Sequence, residues 1–188
     1  SRMQFLKKLI DHGNSQLFAA GDDWQSIYRF TGSDINIFTN FKSYFDDSQI
    51  SFVTMTHRNS QELQDIMHDF ICKNPSQIDK HMKSNIHTNT PIKVMYYSTN
   101  KRTAFLNIIK EISSISNRAN ILVLGRNNND IDTIKETNKI LLKRDKENDD
   151  SYKIIVKEYP YLNIKYSTVH KSKGLEEDYV VLINADDG

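Results

Sequence analysis

Short apolar runs alternate along the chain with segments of helical period, a rhythm that predicts βα units around a parallel sheet. A helix is expected over residues 3–10, a strand at 17–20 (LFAA), a helix over about 33–44 and a strand at 50–55 (ISFVTM). Next, Leu63, Ile66, Met67, Phe70 and Ile71 recur at the spacing of one helix face, a stripe that faces a core. Asn59 and Glu62 have the spacing of a capping box, which places Thr56, His57 and Arg58 between a strand end and a helix start. Residues 75–91 are polar and unpatterned and read as a surface connection. Beyond them the pattern predicts a strand at 93–97, a helix carrying Phe105, Ile108, Ile109 and Ile112, and a strand at 121–124. A helix over 131–142 follows, then strands at 164–169 and 179–183. The mixed charge run at 143–150 (KRDKENDD) reads as a solvated loop.

Composition narrows the class without naming a function. The 188 residues carry 25 Lys+Arg against 24 Asp+Glu and are 38% hydrophobic, as in a globular protein of one domain, or one domain and part of another. No run approaches the roughly 18 apolar residues of a membrane helix, so no membrane association is expected. Cys72 is the single cysteine and cannot form an internal disulfide, which, with no basic and apolar leader at the start, predicts a cytoplasmic protein. A net charge of +1 gives no general signal for nucleic acid, so any such site has to be local. The chain opens directly on a helix and stops just after a strand, so it is expected to be a piece of a longer protein.

Several chemistries are excluded by pattern. The six histidines show no HxxxH spacing and one cysteine builds no thiolate site, so no metal site is expected. Neither a G-x-S-x-G elbow nor a G-x-x-x-x-G-K-[ST] phosphate loop occurs. Three segments remain, each at the carboxyl end of a predicted strand, where ligands bind in open parallel sheets: 21–34 (GDDWQSIYRFTGSD), 56–60 (THRNS) and 168–178 (TVHKSKGLEED). Gln25 suits orienting a water or sensing a terminal phosphate. Tyr28 and Phe30, with Arg29 between them, offer two π-faces and a cation, which is what stacking on single-stranded bases requires. Arg58 can neutralise charge on a transferring phosphoryl group. His170, Lys171 and Lys173 offer phosphate contacts beside Gly174, where the backbone can come close, and Glu176 can accept from a ribose hydroxyl. Taken singly, such aromatics are more often core, and a lone arginine is more often a surface ion pair. Their ordered combination is what carries information.

GDDWQSIYRFTGSD resembles motif III of the UvrD/Rep-type DNA helicases of superfamily one, THRNS resembles their motif IV, and TVHKSKGLEEDYVVLI their motif V. Residues 120–141 are similar to the segment between motifs IV and V. The matches run in the family's order over nearly the whole chain. Only about twenty residues, 143–163, stand where UvrD and Rep insert a large extra domain. This short connection and the wording GDDWQSIYRF resemble the helicase IV branch.

The resemblance implies an α/β fold, a truncated helicase core with RecA-like parallel sheets flanked by helices. Residues 1–48 would be the tail of the first RecA-like domain and 49–188 most of the second. It implies an ATP-dependent 3′–5′ DNA helicase or translocase in the intact parent, a cytoplasmic monomer of DNA repair type acting on single-stranded DNA with ATP and Mg²⁺. By this reading Gln25 and Arg58 are catalytic and sense the γ-phosphate. His57, Gly174 and Glu176 also bind nucleotide, while Tyr28, Arg29, Phe30, His170 and Lys171 contact DNA. Thr31 stands where many relatives have a second Arg, and His57 replaces a Tyr that stacks on adenine. The phosphate loop, the Mg²⁺ ligands and the motif VI arginine lie outside this chain, so the piece alone is expected to be inactive. The alternative is an ATP-driven factor, related to helicase IV, that remodels RNA polymerase.

Overall fold

A computed structural model describes residues 2–13, 15–27, 34–98, 100–135, 138–144 and 151–185. The chain divides into two compact units, Ser1–Ile92 and Lys93–Gly188.

The first unit is mostly helix and irregular chain. Helix α1 (Arg2–Gly13) opens it, and a 3₁₀ turn at Asp23–Gln25 is followed by the short helices α2 (Ile35–Thr39) and α3 (Phe41–Tyr44). Residues 17–20 form no strand, and the run at 50–55 yields only the two-residue β1 (Met55–Thr56). Phe18, Phe52 and Val53 are exposed, so neither run gains the buried neighbours that a central strand needs. β1 pairs in parallel with β2 (Lys83–Ser84), which lies in the stretch expected to be plain connection. Helix α4 (Gln61–Ile71) appears where its stripe predicts it, with a different cap. Ser60 accepts from the Leu63 N–H at 3.3 Å, whereas Glu62 reaches away to His87 and Thr88.

The second unit holds a mixed five-stranded sheet of order β4-β5-β6-β3-β7. β3 (Asn120–Gly125) is central, with β6 (Asn163–Thr168) and β7 (Tyr179–Leu182) parallel on either side. Its near-continuous apolar run is what a strand covered on both faces requires. Helix α5 (Lys101–Ile115) adds Phe105, Ile109 and Ile112 to one core with Ile121, Val123, Ile164 and Tyr166. The stretch expected as a strand at 93–97 is irregular. The helix expected over 131–142 is replaced by a 3₁₀ segment (Asn128–Thr133) and then β4 (Ile140–Arg144), which pairs antiparallel with β5 (Tyr152–Val156). Ile131 and Ile134 do point inward, but Ile140 is buried as the first residue of a strand. β5 also pairs antiparallel with β6, so the sheet is parallel in three strands and antiparallel at the β4–β5 edge. The charge run therefore begins inside β4, with 145–150 outside the described residues. Among the described residues no helix is long and apolar enough to cross a membrane.

Candidate functional site

The motif III turn is built around two adjacent carboxylates. Asp22 caps the 3₁₀ turn, accepting from the Trp24 N–H at 3.2 Å, and its Oδ2 accepts from Gln25 Nε2 at 2.8 Å. Lys80 Nζ lies 2.6 Å from the other oxygen of Asp22 and also pairs with buried Asp23. Burial pushes the Asp22 carboxyl up, but the bonds from Lys80 and Gln25 outweigh it and hold it below its ordinary range. Gln25 is exposed at the end of this turn, suited to meet a ligand while tied to a charged base. Tyr28, Arg29, Phe30 and Thr31 lie outside the described residues.

His57 and Arg58 lie exposed in the bend between β1 and α4. The bend is stitched from the β2 side. Ser84 Oγ donates to the Asn59 carbonyl at 2.7 Å, the Ser84 N–H donates to Gln61 Oε1 at 2.8 Å, and the Gln61 N–H donates to the Ile86 carbonyl at 2.8 Å. The Arg58 N–H donates to Thr56 Oγ1 at 3.3 Å. The guanidinium is thus carried on a loop whose backbone is fixed at both ends. Ile78, Lys80 and Ser84, which hold the motif III and IV loops, were not singled out by sequence reasoning, because polar residues without period carry no local signal.

In the second unit the motif V loop leaves the carboxyl end of β6, next to the carboxyl end of β3, where Gly125 is in register with Thr168. The Val169 N–H donates to the Gly125 carbonyl at 3.0 Å, and the Ser172 N–H to the Thr168 carbonyl at 3.0 Å, closing a tight turn. Gly174 ends it at φ +86, a conformation that disfavours any side chain. His170, Lys171, Lys173 and Glu176 are exposed on this loop. The expected position at a strand end therefore holds for motif V, holds for motif IV only over a two-residue strand, and fails for motif III, which no strand precedes among the described residues. Gln25, His57 and Arg58 belong to the first unit, and His170, Lys171, Gly174 and Glu176 to the second.

One group of described residues brings metal-ligand types together despite its sequence spacing: donor atoms of His68, Asp79 and His81 lie within 4.8 Å of one another. His68 Nε2 is bonded to Asp79 Oδ1 at 2.8 Å, and the Asp79 and His81 side chains are 71% and 78% exposed, the setting of a surface ion pair.

The family model for the UvrD/REP helicase N-terminal domain matches residues 1–46. More particularly, the chain is 29% identical over 178 residues to DNA helicase IV of Escherichia coli (strain K12). It is 26% identical over 111 residues to the ATP-dependent DNA helicase srs2 of Schizosaccharomyces pombe. These alignments cover 93% and 59% of this chain but 23% and 12% of the two relatives, so the chain spans less than a quarter of their length. No solved structure matches significantly. The resemblance to UvrD/Rep-type helicases and to helicase IV seen in the motifs is borne out.

Proposed function

We propose that the chain is part of an ATP-driven helicase or translocase that moves 3′ to 5′ on single-stranded DNA. The observation that carries this reading is the ordered series of motifs III, IV and V in a chain similar over 93% of its length to DNA helicase IV. By this reading 1–48 close a first RecA-like domain and 49–188 form most of a second, with the family's N-terminal model ending at residue 46 in support. The donor sets suit an anionic ligand: an amide at Gln25 on a charge-anchored turn, a guanidinium at Arg58 on a stitched loop, and a ring at His57 able to stack on a base.

ATP, taken with Mg²⁺, would supply the free energy for movement. Gln25 and Arg58 contact its terminal phosphate, His57 stacks on its base, and Glu176 accepts from its ribose beyond the Gly174 turn. Tyr28 and Phe30 stack on DNA bases, and Arg29, His170 and Lys171 contact the strand. Movement follows from a shift of population toward the state that binds ATP better. The Mg²⁺ ligands and the phosphate loop belong to the rest of the protein, so this piece alone neither hydrolyses ATP nor unwinds DNA.

The test is the ATPase rate of the full-length protein with and without single-stranded DNA, beside Arg58→Ala and Phe30→Ala. Stimulation by DNA that is lost in both variants is the expected result. Hydrolysis that ignores DNA and Phe30 yet needs Arg58 would replace this reading with remodelling of RNA polymerase.

A further inference from the structure

The segment after α4 is fastened to the motif III turn at several points. Trp24 Nε1 donates to the Ile78 carbonyl at 3.0 Å, and the Ile78 N–H donates to Asp23 Oδ2 at 2.7 Å. Lys80 completes the junction, its Nζ 2.6 Å from Asp22 Oδ1, paired with Asp23, and 4.9 Å from the centre of the Trp24 ring. The lysine side chain is only 17% exposed, so its charge acts with little screening by water. Asp22 divides its two oxygens between neighbours: Oδ1 takes the Lys80 ammonium together with the Trp24 N–H, and Oδ2 takes the Gln25 amide. Without the ammonium, the carboxylates of Asp22 and Asp23 keep only neutral donors, the Trp24 and Ile78 N–H groups and the Gln25 amide, and the cheapest relief is for Asp22, the more exposed of the two, to turn into water. Gln25 would then lose its anchor.

We propose that Lys80 is a positioning residue for Gln25, acting through Asp22. It holds one N–H of the Gln25 amide on the carboxylate, which leaves the second N–H to meet the terminal phosphate and the carbonyl oxygen to accept from a water. This role rests on the helicase reading above, in which Gln25 faces the terminal phosphate. It also makes the response of motif III depend on a segment, Ile78 to Lys80, that contains none of the recognised motifs.

The experiment measures DNA-saturated ATPase in the full-length protein for Lys80→Ala, Gln25→Ala and the double variant. Because a small misplacement of a reacting group can cost up to about a hundredfold, Lys80→Ala should lower kcat about tenfold while KM for ATP changes less than about threefold. In the Gln25→Ala background the same substitution should cost less than about twofold, because residues acting as one unit do not add. Asp22→Ala, which leaves the Lys80–Asp23 pair intact, should reproduce both results and covers the case in which Lys80→Ala fails to fold. Losses that multiply in the double variant, or an unchanged kcat in Lys80→Ala and Asp22→Ala, would overturn the role of Lys80 and leave the helicase reading standing. A full-length protein that does not hydrolyse ATP at all would overturn the helicase reading and this inference with it.

Discussion

Two glycines beside motif V are held in place by different physics. At Gly174 an added Cβ meets nothing within 4 Å, so alanine is opposed only by the positive φ of +86. That strain costs about 1 kcal/mol. At Gly125 an added Cβ would run into the Tyr166 hydroxyl and the Cβ of Asp130, the latter at 2.8 Å. Tyr166 has no room to yield: it is fully buried, its hydroxyl donates to the Asn127 carbonyl at 2.5 Å, and burial pushes its pKa up to about 12. Overpacking of this kind costs about 1–3 kcal/mol. Gly125→Ala should therefore lower the urea midpoint more than Gly174→Ala does, and the reverse order would show that backbone strain governs this corner. Gly174 was legible in the sequence because a glycine inside a recognised motif announces its turn. Lys80 was not, because its meaning depends on two carboxylates nearly sixty positions earlier in the chain.

Elements were legible where local pattern and tertiary setting agree. α4 and α5 carry clean helical stripes, and β3, β6 and β7 carry strand-length apolar runs whose neighbours exist in the fold. Residues 131–142 misled because Ile131, Ile134, Leu141 and Leu142 mimic a helical period, whereas pairing with β5 draws 140–144 into the sheet. The start of α4 shows a subtler exchange. Ser60 takes the cap, and Glu62 is released to bind His87 Nδ1 at 2.8 Å and the Thr88 N–H at 3.0 Å, which pins the returning chain to the first turn of the helix. The Thr88 and His87 bonds lower its carboxyl from the ordinary 4.5 to about 2. Because the folded value is the lower one, this contribution is complete above about pH 4.5 and is lost as pH falls through 2. Glu62→Gln should thus be less sensitive to acid than the parent chain over that window. An NMR titration that put the Glu62 midpoint in the ordinary range would remove the basis for this.

On the scale of the molecule, stability is unevenly distributed. Every buried hydrophobic side chain among the described residues lies between Phe105 and Val181, in the second unit. The buried residues described in the first unit are polar: Asp23, Ser60, Gln64 and Ser84. That unit leaves Phe18 at 93%, Val53 at 82% and Phe70 at 73% exposure. Since burial of apolar surface is the main favourable term in folding, the second unit holds a core of its own and the first holds mainly a hydrogen-bonded frame. Amides of β3 and β6 should then exchange with solvent at the rate set by global unfolding, and those at 17–20 and 50–56 many-fold faster. Ile109→Ala, which empties a fully buried site, should weaken the second unit by about 2–5 kcal/mol and speed exchange in β3 and β6 accordingly. If the chain is part of a helicase, the apolar residues at 17–20 belong to a sheet whose other strands lie elsewhere in the protein. The amides at 17–20 should accordingly become protected in the full-length molecule. Protection at 17–20 equal to that of β3 in the 188-residue chain would refute this account, because it would require a core in the first unit that its buried residues do not supply.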